Sequence, residues 1–206
     1  MRHALARTFL LAVLALATVP TGVGAQTPIP LGEISRYINS LTKAKAEFTQ
    51  LNADGSISTG TLYLHRPGRA RFEYDPPEPA LVIAGGGTLA IFDRKSNQPP
   101  EQYPLRRTPL SVILERNVDL SRAGMVTGHR AEGNTTIVTA QDPESPEAGA
   151  IRLVFTAGPV ELRQWVIVGQ DGSETTVVLG ELLRDVELTS FLFNIPLEVD
   201  RILGRN

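Results

Sequence analysis

The chain has 206 residues, of which 42% are hydrophobic, and this length predicts one domain or at most two small ones. It has 20 Lys and Arg against 22 Asp and Glu, so it lacks the excess positive charge that nucleic-acid binding requires. It contains no cysteine, which excludes disulfides, thiolate metal sites, a cysteine nucleophile and a lipid-modified cysteine.

Residues 1–25 have the pattern of a cleaved secretory signal. Arg2 and Arg7 precede an apolar run over 9–19, and small residues follow at the end of the segment. The apolar run is too short for a bilayer span, which takes about 20 residues. We therefore expect export to the periplasm and a single domain over 26–206, and we expect a monomer.

An amphipathic helix opens the predicted domain, since apolar residues from Leu31 to Leu41 recur at spacings of three and four. At Ala44 the period changes to two, which predicts a strand that ends before a turn at Asp54-Gly55. Alternating or short apolar runs predict four more strands in this half of the chain, at 57–66, 70–75, 81–83 and 89–92.

Residues 94–107 are polar and rich in proline, and we expect a loop there. Thr108-Pro109 then has the form of a helix N-cap followed by proline, and Leu110, Ile113 and Leu114 give that helix an apolar stripe. A second series of strands is predicted at 123–130, 135–141, 150–156, 161–169 and 174–180, and the tail over 181–195 is expected to add a helical turn and a strand.

These nine or ten strands are mostly amphipathic, which favours an antiparallel sheet with one face in water. A curved antiparallel sheet with helices over its concave face buries the apolar sides of both. Trp165 alternates with Arg163 and Ile167, and we expect it in the core or on the convex face.

Catalytic signals are weak throughout the sequence. His65 and His129 have no second ligand at metal-binding spacing, and we expect both to face solvent on strands. The glycines at 85–87 lack the Lys-Ser/Thr of a phosphate loop. The sequence contains no Gly-x-Ser-x-Gly motif. We therefore expect neither an enzyme nor a bound metal or cofactor.

One segment, residues 60–74 (GTLYLHRPGRARFEY), resembles the signature of the LolA family of periplasmic outer-membrane lipoprotein carriers, a Gly-x-Leu-x-Leu-x-Arg-Pro-Gly run before an aromatic-rich strand. Further pieces of the family pattern follow in the correct order over 31–197, namely Phe48-Thr49-Gln50, Gly87 to Asp93, Thr108-Pro109-Leu110 and Phe193-Asn194-Ile195-Pro196. The chain departs from the family at Ala70, where Phe is usual, and at Phe72, where Trp is usual, so its wall is less aromatic.

The resemblance implies a mainly β fold, a strongly curved and unclosed antiparallel half-barrel with an apolar cavity beneath a lid of short helices. It also implies that the protein takes the acyl chains of lipoproteins from an inner-membrane ABC transporter. Delivery would be to an outer-membrane acceptor or to the membrane surface. The alternative we keep open is a module of the same fold that binds another lipid, such as a glycolipid or hopanoid, or that senses mislocalised lipoprotein.

By the same resemblance, Arg66 would reach across the cavity and hydrogen-bond the lid helices, which holds the empty carrier shut. A guanidinium suits this role because it has five donors and remains charged. Candidate cavity-wall residues are Phe48, Leu62, Leu64, Phe72, Leu89 and Ile91, and candidate lid residues are Leu110, Ile113 and Leu114. Arg69, Arg71, Arg106 and Arg107 are candidates for a basic docking surface.

Overall fold

The computed structural model describes residues 27–204, so the predicted signal segment lies outside the described residues. The domain begins with helix α1, Leu31–Ser40, whose apolar side is buried as its spacing predicts. Helix α2, Ser111–Leu114, is a single turn in the middle of the chain, and helix α3, Ile195–Ile202, comes near its end. None of these helices has the length and apolar character needed to cross a bilayer.

Twelve strands form one sheet. In the first half of the chain they are β1 Lys43–Leu51, β2 Ile57–His65, β3 Ala70–Tyr74, β4 Ala80–Gly85, β5 Thr88–Asp93 and β6 Glu101–Pro104. In the second half they are β7 Val126–Glu132, β8 Thr135–Ala140, β9 Ala150–Thr156, β10 Glu161–Val168, β11 Glu174–Leu179 and β12 Leu183–Arg184.

The strand order is β6-β5-β4-β3-β2-β1-β11-β10-β9-β8-β7. The short strand β12 pairs with the first part of β1, ahead of the residues that pair with β11. Every pairing is antiparallel, and β6 and β7 are edges that do not pair with each other, so the sheet stays open. The predicted unclosed antiparallel sheet with covering helices is confirmed.

One face of the sheet, which we call the inner face, carries the main core. Alternation along β1 and β2 places Ala46, Phe48 and Leu62 on this face, where they join Ile34 and Ile38 of α1 in one buried cluster. The segment from α2 to Leu120 packs onto the same cluster. The two helices and this loop therefore form a cover over the inner face.

Two parts of the architecture were not predicted. Strand β6 lies in the segment expected to be a loop, and it is exposed along its whole length, so it has no apolar alternation to reveal it. The tail over 181–195 contains the expected short strand, β12, and the expected helical turn, Ser190–Phe193, but the chain then continues into α3, which was not predicted. Helix α3 packs on the outer face, where Ile195 contacts the small cluster around Ile83 and Phe92.

Candidate binding site: an apolar cavity beneath two helices

A cavity of about 30 Å³ lies between the inner face and the cover. Its lining is apolar except for one arginine, and it comprises Ile38, Leu41, Leu62, Leu64, Arg66, Ala70, Phe72, Leu110, Ile113, Leu114, Leu162, Trp165, Leu179 and Leu182. Because about 10–15 Å³ of such space already holds one water, this cavity has room for only a few waters and is far smaller than an acyl chain. The protein's own side chains therefore fill most of the space between the inner face and the cover.

Arg66 is the polar member of this lining. It directly follows β2 and shares the inner face with Leu62 and Leu64, as a period of two requires. Its backbone N–H donates to the Thr42 carbonyl at 2.8 Å, which fixes it beside the start of β1. Only 7% of the residue is exposed.

The guanidinium of Arg66 bridges the ends of both covering helices. Nη1 donates to the carbonyl of Ile38 in the last turn of α1. Nη2 donates to the carbonyl of Glu115, the residue after α2, at 2.5 Å, and to Oδ1 of Asn39 at 3.2 Å. These carbonyls lie at helix C-termini, where the partial charge is negative and a cation is favoured.

Within residues 27–204 Arg66 forms no ion pair, so carbonyl dipoles and an amide oxygen stabilise its charge. Burial lowers the pKa of Arg66, and the nearby Glu115 carboxylate opposes this shift only in part. Its Nε is buried and has no hydrogen-bond partner among the described residues. Arg66 thus carries a desolvated charge whose stability depends on both helix ends staying in place.

Of the candidate wall and lid residues, Leu62, Leu64, Phe72, Leu110, Ile113 and Leu114 line the cavity. The other three candidates do not. Phe48 lies behind Phe72 in edge-to-face contact, with ring centroids 5.7 Å apart, and Leu89 is buried in the same core away from the cavity. Ile91 is 39% exposed because it lies between β4 and the edge strand β6, beyond the cover.

Trp165 is a cavity residue that the sequence pattern did not reveal. Its ring meets Phe72 edge-to-face at 6.1 Å and lines the cavity together with Leu162. The pairing of β9 with β10 shifts register between Leu162 and Gln164. This bulge lets Leu162 and Trp165 share the inner face although they are three residues apart, which breaks the period of two.

The candidate basic surface is not formed as predicted. Arg71 is 7% exposed and points to the outer face, where its guanidinium pairs with Glu73 at 2.7 Å and with Glu198 of α3 at 3.2 Å. It also donates to the Leu192 carbonyl at 3.1 Å. Arg71 therefore fastens the C-terminal segment to the sheet. Arg106 and Arg107 are exposed in a 3₁₀ turn before α2, and Arg69 is half-buried.

His65, expected in solvent, is half-buried against the Phe193 ring with centroids 5.7 Å apart. Burial lowers the pKa of His65, and the charges of Arg69 and Lys43 lower it further. His129 is exposed, as expected.

The profile of the family described as outer membrane lipoprotein carrier protein LolA matches residues 39–196. The chain belongs to this family. The outer-membrane lipoprotein carrier protein of Cupriavidus pinatubonensis is 26% identical over 198 aligned residues, which span 89% of this chain and 90% of that protein. The protein of the same name from Pseudomonas paraeruginosa is also 26% identical, with coverages of 96% and 98%.

Among solved structures, a LolA superfamily protein from Nitrosomonas europaea is similar with a TM-score of 0.44 and 8% identity, over 81% of this chain and 98% of that one. LolA proteins are carriers of lipoproteins and not enzymes, so family membership agrees with the lack of catalytic motifs in the sequence. In this LolA protein, the cavity beneath α1 and α2 is the candidate cargo site.

Proposed function

We propose that this LolA protein is a periplasmic carrier that binds the acyl chains of lipoproteins in the cavity beneath α1 and α2. It would receive them from an inner-membrane ABC transporter and deliver them to the outer membrane. The observation that carries the proposal is a cavity that is apolar except for Arg66, a buried cation that bridges the two covering helices.

The hydrophobic effect explains why acyl chains need such a carrier. Each methylene exposed to water costs about 0.8 kcal/mol, so two or three chains cost tens of kcal/mol and do not cross an aqueous compartment unaided. An apolar cavity offsets this cost without directional contacts, so it suits many lipoproteins that share only their acyl chains. Release then requires only a more apolar site at the destination.

The small cavity volume fits a carrier that closes when empty. Five cover residues are buried against the inner face, namely Val112, Ile113, Leu114, Val118 and Leu120. Exposing them all to water would cost on the order of 10 kcal/mol, at about 1.5–3 kcal/mol each. Because acyl chains would replace the apolar contacts that opening breaks, the open form is stable only when cargo is bound.

Arg66 would act as the latch of this closed form. Its bonds to the Ile38 and Glu115 carbonyls exist only while both helix ends lie over the cavity. A latch made of hydrogen bonds can break and re-form in each transport cycle. It also sets how readily bound cargo is expelled, because the closed form competes with cargo for the same space.

The cargo proposal is tested by displacement of the fluorescent apolar probe ANS from the native protein. We expect stoichiometric ANS binding that a diacylated lipopeptide reverses, whereas the same peptide without acyl chains has no effect. Failure of the lipopeptide to displace the probe would refute the assignment of the cavity as the acyl-chain site.

The route of transport needs a separate test. We expect the protein to accept a lipoprotein from inner-membrane vesicles that contain the releasing transporter, and to lose it to outer-membrane vesicles. Mass spectrometry of lipid that co-purifies from the periplasm should identify acylated peptides. A glycolipid or hopanoid in their place would contradict the lipoprotein route while preserving a lipid-binding cavity.

A further inference from the structure

We propose that the cover opens on one side only, and that Asn39 is a second positioning residue for its closure. The moving part would be the segment Ser111–Leu120, which we call the flap, while α1 stays on the sheet. This inference rests on the proposed function, since it describes how cargo reaches the cavity.

Contacts on both sides of its C-terminal half fix α1 to the sheet. The Tyr37 hydroxyl accepts a hydrogen bond from the backbone N–H of Leu162 in β10 at 3.0 Å. The Ser40 hydroxyl accepts from Nη2 of Arg184 in β12 at 2.7 Å. The Tyr37 ring also packs edge-to-face on Phe155 of β9 with centroids 6.0 Å apart. Since α1 runs into β1 within two residues, it has little freedom to move away.

The flap is a chain segment between two fixed points. Before it, the N–H of Leu105 donates to the Gly87 carbonyl at 2.9 Å, and after it the Met125 carbonyl accepts from Gln141 at 2.9 Å. Between these points the β2–β3 turn contacts the end of α2, where the N–H of Gly68 donates to the Leu114 carbonyl at 2.9 Å. A segment held at both ends can swing outward without disturbing the sheet.

Asn39 joins α1 to the flap by a paired contact. Its Oδ1 accepts from the N–H of Val118 at 2.9 Å, and its Nδ2 donates to the carbonyl of the same residue at 2.9 Å. One side chain thus satisfies both main-chain groups of Val118, as a neighbouring strand would. One turn earlier on α1, the Ser35 hydroxyl accepts from the N–H of Leu120 at 3.1 Å, so the two helix side chains together bind the flap along its second half.

The same Oδ1 of Asn39 also accepts from Nη2 of Arg66 at 3.2 Å. Arg66 therefore contacts the flap directly at Glu115, and it also contacts Asn39, which holds the flap at Val118. Groups that share an acceptor do not act independently, so substitutions at Asn39 and Arg66 should be non-additive. The inference makes Asn39 the positioning residue that aligns Arg66 with the flap.

Spin-label distances test which part of the cover moves, and the absence of native cysteine makes double labelling specific. One label is placed on the outer face by Thr49→Cys, and it is paired with Arg116→Cys on the flap or with Arg36→Cys on α1. All three positions are exposed. We expect Asn39→Ala to broaden the distribution of the flap distance, because the flap loses its two bonds to Asn39, and to leave the α1 distance unchanged.

Amide hydrogen exchange provides the second readout, because the Val118 N–H is bonded to the side chain under test. We expect Asn39→Ala to accelerate exchange at Val118 about tenfold or more, and Asn39→Asp, which keeps the acceptor and loses the donor, to have a smaller effect. Asn117→Ala is the matched control, since the Asn117 side chain is exposed on the flap and makes no hydrogen bond within residues 27–204.

The two inter-label distances are also measured after addition of a diacylated lipopeptide. Lengthening of the flap distance alone supports the inference, whereas lengthening of the α1 distance overturns it and leaves the proposed function standing. If the lipopeptide does not bind, the proposed function fails, and the ligand-free measurements still decide the inference. Unchanged Val118 exchange in folded Asn39→Ala, verified by its circular dichroism, also overturns it.

Discussion

Substitution of Arg66 by leucine tests whether the closed form limits the transfer of cargo. Leucine fits an apolar lining and removes a desolvated charge, so the fold should not lose stability. The Ile38 carbonyl keeps its bond from the N–H of Leu41 at 3.1 Å and is therefore not left without a partner. The substitution thus acts mainly on the cover.

The size of the effect on cover opening follows from the hydrogen bond of Arg66 that opening breaks. If α1 stays on the sheet, opening breaks the bond from Arg66 to the Glu115 carbonyl. A hydrogen bond to a charged group contributes about 1.5–3 kcal/mol, which corresponds to a change of about 10- to 150-fold in the ratio of open to closed protein. Since cargo binds the open form, its apparent affinity should rise by up to the same factor.

A two-vesicle transfer assay measures both consequences. Arg66→Leu should load lipoprotein as well as the parent protein does, and it should release it to acceptor membranes at least tenfold more slowly. Arg69→Leu is the matched control, because that guanidinium forms hydrogen bonds only with His65 among the described residues. If Arg66→Leu transferred cargo at the parent rate, the arginine would have no part in the mechanism.

Three further predictions concern the fold, the cavity and pH. Gly60→Ala should destabilise the protein by more than about 1 kcal/mol, because a Cβ there would overlap a carbonyl of β3. Trp165→Ala should lower the free energy of unfolding by about 3–5 kcal/mol and enlarge the cavity, with tighter ANS binding as the readout. Burial raises the pKa of Glu198, but its hydrogen bond from Arg201 and the charge of Arg71 outweigh this and lower it. Its contribution to stability is therefore present above the ordinary titration range near pH ~4.3 and is lost as the pH falls through the lower folded-state value, so Glu198→Gln should flatten the acid limb of the stability curve.

Urea unfolding measures the change in stability for all three variants, and ANS titration measures the enlarged cavity of Trp165→Ala. A Gly60→Ala midpoint equal to that of the parent would show that β2 and β3 separate freely at this position. Unchanged ANS affinity in Trp165→Ala would place the probe outside the cavity. Parallel pH curves for the Glu198→Gln and parent proteins would mean that the carboxylate titrates alike in the folded and unfolded chains.

The predictable part of this structure is the part with simple periodicity. The alternation of Leu62, Leu64 and Arg66 predicts that they share one face of β2 and its end, and the i, i+3, i+4 pattern predicts α1. The family resemblance then supplied the expectation that Arg66 meets both helices, and its hydrogen bonds to Ile38 and Glu115 lie where that expectation placed them.

The remainder depends on features that break periodicity or that only three dimensions reveal. Trp165 lies in the core, as expected, but the bulge before it places it on the inner face, where it also lines the cavity. Arg71 alternates with Ala70 and Phe72 like an exposed residue, but α3 covers it. Whether apolar residues form a core or a cavity wall cannot be read from their type, because both environments select the same side chains, and this explains the misplacement of Leu89.

A pocket that closes on itself keeps its apolar lining away from water. With about 30 Å³ of free space beneath the cover, most of the lining of the closed form packs against the protein's own side chains. If the protein carries acyl chains as proposed, a passenger enters only when its hydrocarbon takes the place of the carrier's own leucines.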